Sequence, residues 1–112
     1  MLSAPPATSQ ALGIQLVSAA KVLDWTWVVV SGIDSPTIIP DLFPLDIGGQ
    51  GTNYAIPWKP FILTPGYATK SFGPLTGLAG VTVFWQSIVF EAANGYDPPW
   101  PSSNKQTTAI LF

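Results

Sequence analysis

Six carboxylates are the side chains of this sequence that could act as catalytic acids and bases. Asp41 and Asp46 flank a short apolar segment, so a turn there could bring this pair together. A glycosidase needs two carboxylates at a defined separation inside a cleft, and a chain of 112 residues leaves little room for one. Acidic residues between strands are far more often solvated turn residues. We therefore expect no catalytic residues, and an enzyme built on an acid pair is the third of three hypotheses for the function.

The ligand chemistry of the sequence is limited to oxygen atoms. Asp41, Asp46 and Asn53 could offer oxygens to calcium, but their spacing does not match that of an EF-hand loop. Zinc and copper normally bind histidine or cysteine, and the chain contains neither. The glycine-rich residues 48–52 lack the lysine that follows the glycines of a phosphate-binding loop. We expect no metal site and no cofactor, with a calcium site as the alternative.

The charge of the chain restricts its partners. Four lysines and six acids give a net charge of −2, and the lysines are scattered singly. A nucleic-acid surface needs clustered positive charge, so we expect no nucleic-acid partner. No stretch is long and apolar enough for a transmembrane helix, so we expect no membrane span. Hydrophobic residues make up 47% of the chain and charged residues 9%, so we expect neighbouring molecules to cover part of the surface.

The elements that position these side chains are predicted to be strands. Twelve prolines and ten glycines break the chain too often for long helices. Period-two alternation, or runs of β-branched and aromatic residues, occur at residues 12–16, 25–30, 67–72, 81–91 and 107–112. Trp27 and Trp85 lie in these runs and are expected in the core. Residues 37–39 and 61–63 are short apolar runs between prolines and are predicted to be edge strands or strand ends. The pattern predicts an all-β fold, a single antiparallel sandwich or small barrel of about seven or eight short strands.

Residues 1–11 are predicted to form an extended arm that precedes a single domain of residues 12–112. The arm consists mostly of Ala, Ser, Thr and Pro, with little to bury. Ordering such a segment costs about 1–2 kcal/mol per residue, so a contact must hold it. That contact is either a neighbouring copy or, in the alternative, the arm's own domain. Pro5 and Pro6 are therefore candidate contact residues.

The aromatic residues of the loops are the strongest sign of a contact surface. Trp58 stands between Pro57 and Pro60, and Trp100 lies in a proline-rich loop with Tyr96. A ring held by prolines loses little entropy on contact, which suits an interface anchor or a platform for a sugar. Trp58, Tyr96 and Trp100 are therefore candidate contact residues; the alternative is that they cap the open ends of the sandwich. For a sugar, Asn94 and Asp97 would be the hydrogen-bonding partners.

One part of the chain shows a family resemblance. Residues 78–90 include Phe84-Trp85-Gln86, and Ser103-Asn104 lead into the last predicted strand. Residues 78–112 thereby resemble the C-terminal β-sandwich domains of secreted planctomycete-type proteins, which end with a Gly-aromatic-x-Gln strand and a Ser-Asn-led strand. The resemblance implies an extracellular-type β-sandwich of structural or adhesive use, and no enzyme. The chain departs from the pattern in its Trp-Pro-rich loop and in showing no signal peptide.

Two further hypotheses for the function follow. The first is a structural subunit that packs with copies of itself, and with a possible second structural protein, into a virion decoration or an extracellular filament. The scarcity of charge, the arm and the lack of reactive side chains favour it. The second is a small carbohydrate-binding or adhesive module that uses the loop aromatics. The first residues carry no basic segment followed by an apolar one, so we expect no secretory signal and a place in a virion or extracellular assembly.

Overall fold

The computed structural model describes residues 1–36, 45–49, 54–98 and 100–112. Eight strands lie in these ranges: β1 (Leu2–Ser3), β2 (Ala7–Ser9), β3 (Ile14–Ala19), β4 (Trp25–Ser31), β5 (Ala55–Trp58), β6 (Tyr67–Phe72), β7 (Thr82–Phe90) and β8 (Gln106–Leu111). A single 3-10 turn, Ala92–Asn94, follows β7. The helical part of the described chain contains nothing long and apolar enough to cross a membrane.

The strands form two sheets, which confirms the predicted β-sandwich. The smaller sheet has the order β1-β3-β6, and the larger has the order β2-β8-β7-β4-β5. Neighbouring strands are antiparallel except β2 and β8, which are parallel. The antiparallel pairs are typical of a chain with short connections and frequent prolines and glycines.

The main core lies between the two sheets. Ile14 and Leu16 of β3 meet Val28 of β4 and Trp85 of β7, and all four are buried. Trp85 is 5% exposed, as expected for a core residue, and its indole nitrogen donates a hydrogen bond of 3.1 Å to the Thr108 hydroxyl. The bond matters because a buried indole N–H without an acceptor would be costly.

The larger sheet also buries part of its outer face. Val29 of β4 and Ile88 of β7 pack there against Leu45 and Ile47, which belong to a segment outside the sheets. The central strand β7 therefore contributes apolar side chains to both faces, as its pattern predicted.

The N-terminal residues lie across the edges of both sheets of their own chain. β1 pairs with β3, and β2 pairs with β8. The Leu2 side chain is fully buried in the main core. The side-chain amide of Asn104 accepts a hydrogen bond from Leu2 N at 3.1 Å and donates one to Leu2 O at 3.0 Å. Residues 1–11 are therefore held by their own domain, which was the alternative to a neighbouring copy.

The strand next to the long proline-rich segment differs from the prediction. Residues 61–63 form no strand, apart from a single bridge between Phe61 and Trp25, and the edge strand is β5 instead. The other predicted edge segment, residues 37–39, lies outside the described residues. Val28 pairs with Trp58 and Val30 with Ala55, so the register shifts by one residue between them. Pro57 lies in this irregularity, because proline has no N–H for the ladder and is tolerated at bulges on edge strands.

Candidate functional site

An open groove of about 410 Å³ lies on the outer face of the larger sheet. Its lining consists of four aromatic side chains and one lysine: Trp25, Trp27, Lys59, Phe90 and Tyr96. Concave, mostly apolar sites with a few polar groups are the usual form of a ligand site. This groove is therefore the candidate functional site.

The floor of the groove is built by β4 and β7. Trp25 and Trp27 are two residues apart on one strand, so both point to the outer face. Phe90 of β7 is the register partner of Trp25, and its ring lies 4.8 Å from the Trp27 ring. On the other side, the Phe61 ring lies 4.9 Å from the Trp25 ring. The antiparallel register thus collects aromatic rings from two strands at one end of the sheet.

Tyr96 forms a wall of the groove. The chain reverses after β7 through the 3-10 turn, whose first residue, Ala92, donates its N–H to the carboxylate of Asp24 at 3.0 Å. Tyr96 follows with a left-handed backbone, φ 62°. Its hydroxyl donates a hydrogen bond of 2.8 Å to Leu23 O, and its carbonyl accepts one of 3.0 Å from the Trp100 indole. Bonds at both ends of the residue hold this ring against the groove.

Lys59 supplies the charge of the site. Its ammonium lies 4.6 Å from the centre of the Trp27 ring, a cation–π contact. Within the described ranges Lys59 forms no salt bridge, since the ion pair found there joins Lys105 to Asp34. The indole nitrogen of Trp25 likewise donates to no group of the described chain. The unused polar groups of the groove are therefore hydrogen-bond donors.

The rings in and around the groove are tilted to their neighbours. The Trp27 and Phe90 rings of the lining are inclined by 56°, and the Phe61 ring is inclined by 49° to that of Trp25. Among the described residues, no carboxylate, serine or threonine lines the groove. The described lining can therefore hold an apolar surface and an anionic or acceptor group.

The predicted contact residues fall in three different places. Tyr96 lines the groove, and Trp100 lies beneath it, with its ring 5.1 Å from that of Phe90. Trp58 packs against the main core, on the inner face of the sheet. Because β5 is irregular at Pro57, the alternation there does not place Trp58 beside the groove. The structure brings Tyr96 and Trp100 together and separates Trp58 from both.

The prolines of the arm and the polar loop residues have other surroundings. The Pro5 carbonyl accepts a hydrogen bond of 2.6 Å from the Thr108 hydroxyl, and the Pro6 carbonyl accepts one of 3.1 Å from Ala109 N. Asn94 and Asp97 are exposed close to Tyr96 but are not among the lining residues. Contact of these four residues with another molecule stays a prediction.

The acidic candidates are described only in part. Asp46 Oδ2 accepts a hydrogen bond of 3.1 Å from the Gln86 side chain, whose oxygen accepts one of 2.8 Å from Asp46 N. Asp41 and Asn53 lie outside the described residues, as do residues 50–52 of the glycine-rich loop. Among the described residues, no three acids come close enough to hold a metal ion.

Two Ser-x-x-Lys spacings, which the sequence analysis did not weigh, can be judged from the structure. Ser18 and Lys21 form one pair, and Ser102 and Lys105 form the other. Ser18 is fully buried, and its hydroxyl lies 2.9 Å from that of Thr26. The ammonium of Lys105 is paired with Asp34. Neither spacing therefore presents a serine to an unpaired lysine in a cleft.

Four of the described lining residues were not predicted as contact residues: Trp25, Trp27, Lys59 and Phe90. A usable signal existed, because Trp25 and Trp27 alternate with Thr26 and must share a face. Trp27, which was expected in the core, lies on that same outer face, half-buried under Lys59. Which side of the sheet is covered depends on distant segments, so this signal could not show that the shared face stays open.

The residues that carry the family resemblance lie in one polar network. Gln86 donates to Ser103 O at 2.8 Å, and the Ser103 hydroxyl accepts a bond from Ser87 N at 3.0 Å. Asn104, next in sequence, binds the backbone of Leu2. These residues fasten the arm and the segment around Asp46 to the larger sheet; membership of the planctomycete-type family stays a prediction. Comparison of the chain with protein-family models, curated proteins and solved structures finds no match.

Proposed function

We propose that the protein is a non-enzymatic structural subunit that associates with copies of itself, in a virion decoration or an extracellular filament. The observation that carries this proposal is an apolar surface at one end of the sandwich, which we call the apolar end. It consists of four large exposed side chains: Val22, Leu23, Leu63 and Tyr67.

The apolar end is built by two loops that are joined by hydrogen bonds. Leu23 N donates to Ile62 O at 2.7 Å, and Ala20 N donates to Gly66 O at 3.2 Å. Tyr67 adjoins them as the register partner of Ala19, at the end of β3. The loops therefore present their apolar side chains on one surface. Clustered exposed apolar side chains are typical of interaction sites.

Leu23 gives this surface a further mark of function. Its φ of 77° lies in the left-handed region, which is costly for a leucine, and its side chain is half exposed to solvent. Strained residues persist where the surroundings hold them, and they cluster at binding and switch sites. A leucine held under strain on the surface supports a contact role for the apolar end.

A second copy is the occupant that the charge of the chain favours. The net charge of −2 gives little repulsion between copies. In the loop between β3 and β4, Lys21 is the exposed charged residue, since Asp24 is buried. Burying a leucine contributes about 1.5–3 kcal/mol. Four partly exposed apolar side chains on each of two copies would therefore gain free energy from mutual burial.

The double variant Leu23→Asn, Leu63→Ser tests the proposal. Asparagine tolerates the left-handed backbone better than most residues, so the loop keeps its conformation. We expect light scattering after size exclusion to give an oligomer for the wild type. The double variant should dissociate at about a hundredfold higher concentration, because each of the two copies loses two partly exposed leucines from the contact.

Leu12→Ser is the matched control. Leu12 is also exposed, but it precedes β3 at the opposite end of the sandwich. Its replacement should leave the mass of the particle unchanged. A wild type that stays a monomer at millimolar concentration contradicts the proposal, and so does an oligomer that the double variant leaves intact.

A carbohydrate-binding or adhesive module is the second candidate function. The aromatic groove favours it, because half-exposed rings can stack on the apolar face of a sugar. The 56° tilt between the Trp27 and Phe90 rings is compatible with a trough that receives a single chain. A glycan titration of the wild type distinguishes this candidate from pure self-association.

A further inference from the structure

We propose that the aromatic groove binds an acidic glycan, that is, a saccharide chain that carries carboxylates or sulfate esters. This inference rests on the second candidate function and names its ligand class. Three features of the groove support this ligand: its exposed rings, its positively charged and hydrogen-bond-donating groups, and its open shape.

The ring surfaces provide the apolar part of the site. Trp25 is 41% exposed and Tyr96 is 40% exposed, although both are packed on one side. The negative face of an aromatic ring attracts the polarised C–H groups on the apolar face of a pyranose. Because Trp25 sits on a strand and Tyr96 is bonded to Leu23, both rings are already positioned, and little entropy is lost on binding.

The polar groups of the groove select for negative charge. Among the residues that the structure describes, Lys59 reaches over Trp27 without an acidic partner, and no acid lines the groove. The Trp25 indole N–H is a second donor without an acceptor in the described chain. A neutral sugar usually meets carboxylates or amides that accept from its hydroxyls. Here a ligand rich in acceptors and carrying an anion is the complementary one.

The shape of the groove favours a polymer over a small molecule. A small apolar ligand is normally enclosed over most of its surface, whereas this groove is open along the sheet. Its volume of about 410 Å³ holds part of an extended ligand with the rest in solvent. A saccharide chain fits this geometry, because one face of each ring is apolar and the other edges stay hydrated.

Calorimetric titration with four probes tests the ligand class. The probes are an oligogalacturonate, a sulfated galacto-oligosaccharide, a neutral galacto-oligosaccharide of the same length, and phenylacetate. We expect at least one acidic oligosaccharide to bind about tenfold more tightly than the neutral one, because it adds a charge-assisted bond to Lys59. The difference should shrink as salt is added. The two acidic probes tell carboxylate from sulfate recognition.

The variant Lys59→Gln assigns the charge to the groove. It should lower the affinity for the acidic oligosaccharide about tenfold and leave that for the neutral one unchanged. Lys70→Gln is the matched control, since Lys70 lies 5.6 Å from the Phe72 ring on the other sheet, and it should have no effect. Trp25→Ala should abolish both affinities, while Phe112→Ala, which removes an exposed ring near the opposite end of β7, should not.

The outcomes separate this inference from the functions on which it builds. Equal binding of acidic and neutral oligosaccharides overturns the acidic class and keeps the carbohydrate candidate. Binding of no oligosaccharide, or tighter binding of phenylacetate, overturns both. An equal loss of affinity in Lys59→Gln and Lys70→Gln would show that binding depends on the net charge of the protein and not on Lys59, and it would overturn the assignment of the site to the groove. The oligomeric state judges the assembly proposal independently of all these results.

Discussion

Two residues of the described chain other than glycine have a left-handed backbone, and they touch each other. They are Leu23 and Tyr96, and the Tyr96 hydroxyl donates its hydrogen bond to the Leu23 carbonyl. Each conformation costs about 1–2 kcal/mol, which the neighbouring contacts must offset. One residue belongs to the apolar end and the other to the groove, so the strain is concentrated where the two surfaces meet. The backbone strain of Leu23 and Tyr96 does not stabilise the fold, which is consistent with a binding role for both residues.

Gln86 is the opposite case, a residue whose role is stability. It is buried, and its side chain makes hydrogen bonds to Asp46 N, Asp46 Oδ2 and Ser103 O. We expect Gln86→Ala to lower the free energy of unfolding in urea by about 2–4 kcal/mol, because several buried groups lose their partner. Hydrogen exchange at the Asp46 amide should accelerate in the variant.

Gln10→Ala is the control for this prediction. The Gln10 side chain accepts one exposed hydrogen bond, from Gly77 N at 3.2 Å. Its removal should cost less than about 1 kcal/mol. An equal loss in both variants, or a protected Asp46 amide in Gln86→Ala, would show that Gln86 does not hold this segment.

At the scale of the element, local patterns sufficed for most strands. The alternation in β3 and β6 and the two apolar faces of β7 follow from side-chain periodicity, which depends on neighbours in sequence. The position of Trp58 could not be read in this way. A bulge at Pro57 changes which face the following side chain takes, and its place depends on pairing with β4.

The arm shows a second limit of local reasoning. β2 pairs in parallel with β8 at the other end of the chain, Ala7 opposite Ala109. An Ala/Ser/Thr/Pro segment does not specify so distant a partner, because its β-strand propensity is low. The entropy of loop closure also does not favour one sheet edge over another as the place where the segment pairs. The specificity comes from the partner side, from Asn104 and Thr108.

Asn104→Ala should therefore loosen the arm. The Leu2 N–H and carbonyl would both lose their partner beside the buried Leu2 side chain, and we expect a loss of about 1–3 kcal/mol in the free energy of unfolding. Proteolysis should then cut within residues 1–11 faster than in the wild type. Asn94→Ala, which removes an exposed amide, should stay within about 0.5 kcal/mol of the wild type. An unchanged proteolysis rate would argue that the pairing of β1 and β2 holds the arm without Asn104.

At the scale of the whole molecule, the two proposed contact surfaces adjoin each other. The apolar end and the groove meet through Leu23 and Tyr96, while the arm closes the edges of both sheets within the same chain. A subunit that self-associates through the apolar end would thus carry its groove at the border of the contact. Assembly and glycan binding are compatible in this geometry, and neither needs the arm to leave its own domain.

The small repulsion that remains between copies at pH 7 should disappear near the isoelectric point. The net charge is −2 at pH 7, and the isoelectric point calculated from the sequence is about 4.5. Repulsion between copies disappears as the pH falls toward that value, so the apolar end should associate more strongly. The chain contains no histidine, so its net charge changes little down to about pH 5.5. We expect light scattering to give a mass that rises between that pH and the isoelectric point, with an unchanged tryptophan fluorescence spectrum showing that the fold is intact. The Leu23→Asn, Leu63→Ser variant has the same charge but lacks the contact, and it should stay smaller throughout. A wild-type mass that is constant or falls with pH, or a variant that follows the wild type, would mean that association does not occur through the apolar end.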